Sequence, residues 1–160
     1  MCIRDRCTDC ASGWADLDSD AATPCTQCTN GRYSDVSARA CTACVPGRGD
    51  VDSDPSTPCV ACEAGQYSGA GWTNCTDCVA GRADLDGDPA TVCVDCAAGE
   101  YAGAGETVCA PCAAGEYDDD SDASTPCLAC DAGYFAPPQT TVSCSICPPG
   151  FHDYDQDPAT

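Results

Sequence analysis

The chain has 160 residues and a formal net charge of −20, with 26 acidic residues against six basic ones. Leu, Ile, Val and Phe together number only 16, too few to bury a sizeable core, while 19 cysteines offer a covalent source of order instead. So acidic a surface repels phosphate backbones and anionic lipid, which argues against nucleic-acid binding and leaves cations and basic protein surfaces as electrostatic partners.

Residues 1–6, MCIRDR, fit no part of the repeat that fills the rest of the chain and read as a non-repeat leader, of the kind a vector or adaptor scar leaves. Residues 7–160 form a tandem array. Every cysteine after Cys2 falls in a C-x-x-C pair, from Cys7/Cys10 to Cys144/Cys147, with pair starts alternating 18 and 16 residues apart until a last step of 17. The superperiod is 34. Each unit opens C-x-x-G, at Gly13, Gly31, Gly47, Gly65, Gly81, Gly99, Gly115, Gly133 and Gly150, and a glycine at a fixed offset predicts a turn needing positive φ. Short units continue as in GQYSGAGWTNC, long units as in GRADLDGDPATVC. The last unit, GFHDYDQDPAT, stops inside its repeat at Thr160, so the expectation is a fragment of a larger array. No 3.6-residue apolar period appears, and no stretch is apolar enough to insert in a bilayer. The predicted fold class is a small disulfide-rich repeat array of short β-strands and turns, with almost no helix and no large hydrophobic core.

Three chemistries use C-x-x-C. A thioredoxin-type redox pair needs a thiol pKa lowered at a helix N-terminus, and an acidic chain without helices does the opposite, so no enzyme is expected. Zinc in Cys₄ sites is the stronger rival, but each site adds two negative charges to a chain already at −20. A disulfide framework is preferred. Connectivity is not deducible from sequence alone. The simplest option joins the second cysteine of one pair to the first of the next: Cys10–Cys25, Cys28–Cys41, Cys44–Cys59, Cys62–Cys75, Cys78–Cys93, Cys96–Cys109, Cys112–Cys127 and Cys130–Cys144. Loops of this size are worth roughly 3 kcal/mol each in the chain-entropy model. Crossing one disulfide and walking one C-x-x-C advances the chain by up to about 16 Å. That predicts an elongated rod with few contacts beyond the neighbouring unit.

The tandem pattern C-x-x-C-x-x-G-x-Y-x(7–9)-C-x-x-C resembles the ephrin-receptor-like cysteine-rich repeats and the first sub-modules of TNF-receptor cysteine-rich domains, both of the growth-factor-receptor cysteine-rich class. The resemblance runs from Cys7 to Thr160. It implies an elongated extracellular array, nearest-neighbour disulfide loops and no enzymatic activity.

Two residues after the glycine, the short units carry Tyr33, Tyr67, Tyr101 and Phe135. A recognition stripe is one reading; rings covering their own disulfides are the favoured one. The long units carry aspartates at glycine +3, +5 and +7: Asp16, Asp18, Asp20; Asp50, Asp52, Asp54; Asp84, Asp86, Asp88; Asp118, Asp120, Asp122; and Asp153, Asp155, Asp157. The intervening Leu17, Val51, Leu85 and Tyr154 make the run read as a short strand with its acids outward. Three carboxylates on one face suit Ca²⁺, although the residues expected of an EF-hand, its glycine and its final Glu, are absent. Two readings stand: weak Ca²⁺ binding at about 10⁻⁴–10⁻³ M, and a solvated polar edge. No cofactor is required in either.

Arg48-Gly49-Asp50 spells an adhesion tripeptide, but Arg82-Ala83-Asp84 and Trp14-Ala15-Asp16 stand at the same repeat positions, so the match reads as drift. Asn74-Cys75-Thr76 is formally a glycosylation sequon, weakened by its middle cysteine. His152 reads as an exposed repeat residue. The functional expectation is a secreted or cell-surface repeat that spaces, adheres or presents ligands, with a protein or matrix partner. The alternatives are a receptor ectodomain and an intracellular multi-zinc module.

Overall fold

A computed structural model of the protein describes residues 9–20, 22–138, 142–148 and 150. Among the described residues there is no helix. The described residues hold sixteen two-residue strands, which pair, each with its neighbour in sequence, into eight two-stranded sheets. The leader at 1–6, His152 and the triplet Asp153, Asp155, Asp157 lie outside the described residues.

The first hairpin shows why such short strands form. Trp14 N–H donates to the Ala11 carbonyl at 3.0 Å, and Gly13 takes φ 81° at the third turn position. A type II turn reserves that position for a residue free to adopt positive φ. Trp14–Ala15 then pairs antiparallel with Thr26–Gln27, the two residues inside the next C-x-x-C. Cys28 N–H returns to the Gly13 carbonyl at 2.8 Å, and Cys10–Cys25 staples the same hairpin. All nine glycines of the C-x-x-G positions have positive φ, between 78° and 95°.

The disulfides are Cys10–Cys25, Cys28–Cys41, Cys44–Cys59, Cys62–Cys75, Cys78–Cys93, Cys96–Cys109, Cys112–Cys127 and Cys130–Cys144. Their Cα–Cα separations of 5.5–5.9 Å sit in the range a disulfide needs. Cys147 is the free cysteine among the described residues.

The chain divides into two compact units. In the first, Met1–Thr76 with Asp88–Val92, hydrogen bonds recur at a spacing of 21 residues. Gly13 N–H donates to Ser34 O (2.9 Å) and Ser34 N–H to Pro55 O (3.0 Å); Gly47 N–H donates to Ser68 O and Ser68 N–H to Pro89 O, both 3.0 Å. Ser34 and Ser68 are therefore held on both sides. Their hydroxyls donate to Trp14 O and Arg48 O at 3.1 and 3.0 Å, so these buried serines are satisfied.

These bonds join neighbouring units, and close approach also reaches one unit further. Gly13 approaches Pro55 and Ser56 two repeats on: a Cβ at Gly13 would lie 3.0 Å from Ser56 N. The physical reason is side-chain size. Gly, Ala and Ser at these positions let successive backbones come close enough to bond directly.

The second unit, Asp77–Gly87 with Cys93–Thr160, uses the same arrangement with alanine in place of serine. Gly81 N–H donates to Ala102 O (2.8 Å), Ala102 N–H to Ala123 O (3.0 Å) and Gly115 N–H to Ala136 O (2.9 Å). Ala102 and Ala136 are fully buried.

The core of the first unit is built of cysteine, alanine, serine and aspartate and that of the second of cysteine, alanine and aspartate; among the described residues no Leu, Ile or Val is buried. Tyr33, Tyr67, Tyr101 and Phe135 are half-buried. Tyr67 packs on Trp72 with ring centroids 5.8 Å apart, and Tyr33 lines a cavity of about 130 Å³ beside Cys59. These contacts fit packing rather than a free recognition stripe.

Candidate functional site

The aspartate runs of the long units are the densest cluster of chemically capable side chains. The strand preceding each run ends before its first aspartate, at Ala15, Gly49, Ala83 or Tyr117. From there the chain is a turn, not the expected strand with acids outward, and the three aspartates have separate jobs.

The first aspartate points inward. Asp50, Asp84 and Asp118 are buried, at 4%, 7% and 5% exposure, and Asp16 is half-buried. Asp50 Oδ2 accepts from Gly31 N–H and Asp118 Oδ2 from Gly99 N–H, both at 2.8 Å and both across 19 residues. Gly31 and Gly99 are the turn glycines of the preceding short units. The long-unit glycines donate to a backbone carbonyl of the next unit; these short-unit glycines donate to a carboxylate instead. The alternation of unit lengths is thus matched by an alternation of acceptor.

The second and third aspartates, exposed, organise their own loop. Asp18 Oδ1 accepts from Asp20 N–H at 3.0 Å, and Asp20 Oδ1 from Ala22 N–H at 2.9 Å. Asp52 and Asp54 accept likewise from Asp54 and Ser56 N–H, and Asp120 and Asp122 from Asp122 and Ser124 N–H. Asp88 Oδ1 accepts from Ala90 N–H at 2.9 Å. Asp86 is exposed.

A threonine completes the knot. Thr23 Oγ1 donates to Asp18 at 2.8 Å, Thr57 to Asp52 at 2.9 Å and Thr125 to Asp120 at 3.0 Å. The backbone N–H groups of Thr23, Thr57, Thr91 and Thr125 return to the carbonyl of the third aspartate at 2.9–3.0 Å. Sequence reasoning missed these threonines, although a threonine stands ten residues after the glycine in every complete long unit. Between the second and third aspartates the backbone is left-handed: Ser19 φ 56°, Ser53 φ 55°, Gly87 φ 65°, Ser121 φ 58°.

The electrostatics follow from this geometry. The N–H of Asp20 and the Thr23 hydroxyl hold the Asp18 carboxyl below the usual carboxylate range, and Asp54 N–H and Thr57 do the same for Asp52. Ser124, through hydroxyl and backbone N–H, lowers Asp122. As for metal ligation, Asp118, Asp119 and Asp120 can offer oxygens within 4.8 Å of one another. That set takes in Asp119, outside the expected triplet, and leaves out Asp122. Cys96, Glu100 and Cys109 also lie together, but the two sulfurs form a disulfide and are not thiolate ligands.

The adhesion tripeptide is not presented. Arg48 is exposed, but Gly49 and Asp50 are buried and the Asp50 carboxylate is bound to Gly31 N–H. Arg48 itself donates to Cys59 O at 3.0 Å.

Residues 120–157 match the family model described as tyrosine-protein kinase ephrin type A/B receptor-like. No curated protein matches the chain. With the eight-disulfide ladder, the match supports a tandem cysteine-rich repeat array of the growth-factor-receptor-like class. That family is a receptor-like module rather than an enzyme class, which points to a protein partner, and the density of disulfides favours an extracellular location. No helix is long and apolar enough to cross a membrane among the described residues.

Proposed function

We propose that the chain is a structural and interaction segment of a secreted or cell-surface protein, spacing or presenting binding surfaces to a protein partner. The observation that carries this reading is the covalent ladder: each hairpin is closed by its own disulfide, and the strand residues between paired cysteines are mostly exposed. A recurrent aliphatic stands there at one superperiod: Val60, Val94 and Leu128 are 51%, 51% and 50% exposed. With a charge of −20, the partner surface that fits is basic. A receptor ectodomain is the alternative within the same class. The experiment is a free-thiol count with metal analysis on native protein. At most two or three free thiols are expected. Stoichiometric zinc with eighteen alkylatable cysteines would return the chain to the multi-zinc reading.

In this reading the aspartate turns need no cation. What supports it is that Asp18, Asp52 and Asp120 each accept from a turn N–H and a threonine hydroxyl. Ca²⁺ up to about 10 mM, around the range of weak extracellular sites, should leave the melting temperature unchanged. A rise that Asp118→Asn and Asp120→Asn abolish would assign Ca²⁺ to that turn.

A further inference from the structure

Asn74-Cys75-Thr76 is the one N-x-Ser/Thr sequence in the chain, and while Cys75 belongs to the ladder, the ladder gives the Asn74 side chain no task. We infer that Asn74 is an N-glycan acceptor. This rests on the extracellular reading, since the donor is encountered in the secretory pathway. The donor class is a polyprenyl-diphosphate-linked oligosaccharide. Its C1–O(phosphate) bond breaks, a bond from C1 to Asn74 Nδ2 forms, the diphosphate leaves with the bonding electron pair, and the amide loses one proton.

The geometry separates the backbone of this segment from its side chain. A Cβ at Gly49 would meet Asn74 C, Cα and N at 3.2–3.4 Å, and Trp72 O accepts from Asp50 N–H at 3.2 Å. The backbone of residues 72–74 thus lies against the neighbouring repeat. The Asn74 side chain is exposed, and its Nδ2 reaches Thr73 Oγ1 at 3.4 Å, the weak end of hydrogen bonding. A sugar on Nδ2 forfeits almost nothing.

Exposure here belongs to the repeat. The equivalent residues Ala40, Val108 and Ser143 are exposed, as are Thr42, Ala110 and Ser145 at the position of Thr76. Only in this short unit does that outward pair read Asn and Thr. The middle residue is half-buried in Cys62–Cys75, which leaves both ends of the tripeptide in solvent. The glycan is therefore compatible with the closed disulfide.

The test is expression of the full chain behind a cleavable signal peptide in a eukaryotic secretory host, followed by peptide N-glycosidase digestion in H₂¹⁸O and peptide mapping. Secreted protein should carry one N-glycan, leaving an ¹⁸O-labelled aspartate at position 74. Asn74→Gln and Thr76→Ala should each abolish it, and Thr76→Ser should retain it at lower occupancy. Unmodified Asn74 in secreted, oxidised protein overturns the inference. So does a glycan found only when Cys62→Ser/Cys75→Ser removes the disulfide. The free-thiol count of the same sample judges the extracellular reading separately: many reduced cysteines would sink that reading, while Asn74 occupancy would still decide the acceptor.

Discussion

Asp50 and Asp118 look like members of an acidic cluster and act as backbone acceptors. Replacing Asp50 with Ala strands the Gly31 N–H among buried atoms, and leaving one such donor unsatisfied costs about 1–3 kcal/mol. Asp50→Asn keeps a carbonyl oxygen and should lose less. Denaturant titration of the oxidised chain measures both; equal and negligible losses would mean that the carboxylate is not structural. Asp52→Asn, at an exposed position, should cost less than Asp50→Ala. The exposed turn carboxylates also set the acid response. Hydrogen bonds from turn N–H and hydroxyl groups hold Asp18, Asp52 and Asp122 below the ordinary aspartate range in the folded chain. Their contribution is therefore complete above the unfolded pKa and disappears as pH falls through the folded one. Stability should be level from about pH 5 to 8 and should drop only below about pH 4. A decline beginning near pH 6 would implicate other groups.

At the scale of the hairpin, the turn glycines differ in what surrounds them. Gly47 and Gly133 share φ near 80°, at 81° and 86°, so alanine is strained at both by about 1–2 kcal/mol. At Gly47 the new Cβ would also meet Ala90 N at 3.1 Å and the Pro89 carbonyl carbon at 3.2 Å, while at Gly133 nothing lies within 4 Å. Gly47→Ala should therefore destabilise by at least about 1 kcal/mol more than Gly133→Ala, since crowding adds roughly 1–3 kcal/mol in packed sites. Thermal melts of the two oxidised variants make the comparison. Equal losses would mean that the close approach of repeats two apart contributes nothing. Gly49 is a different case: its close neighbour is the Asn74 backbone, and Ala15 and Ala83 stand at the same position in other repeats.

For the whole molecule, stability rests on the disulfides because the apolar residues are on the wrong side of the surface. Leu17, Val51, Val60, Val79, Leu85 and Val94 are all more than half exposed, and the buried set holds nothing larger than cysteine or aspartate. Ordering a backbone residue costs about 1–2 kcal/mol, which so small a core does not offset. Reduction should abolish the dispersion of amide resonances and expose the chain to rapid proteolysis. Retention of native-like spectra after complete reduction would show that hydrogen bonding alone suffices.

Much of this was legible in the residues. The 34-residue superperiod, the turn at each C-x-x-G, the shortage of core formers and the absence of helical periodicity all come from spacing and composition, because each is a local property of one repeat. The destination of the side chains was not local. An aspartate three residues after a glycine looks the same whether it faces solvent or the previous repeat, and only the stacking of repeats turned Asp50 toward Gly31 and hid it. The same stacking placed Gly13 against Pro55, a contact between repeats that are not adjacent in sequence. Neighbour spacing determined which hairpins form; the size of the residues between them decided how closely the hairpins pack, and with that which carboxylates became structure and which stayed in water.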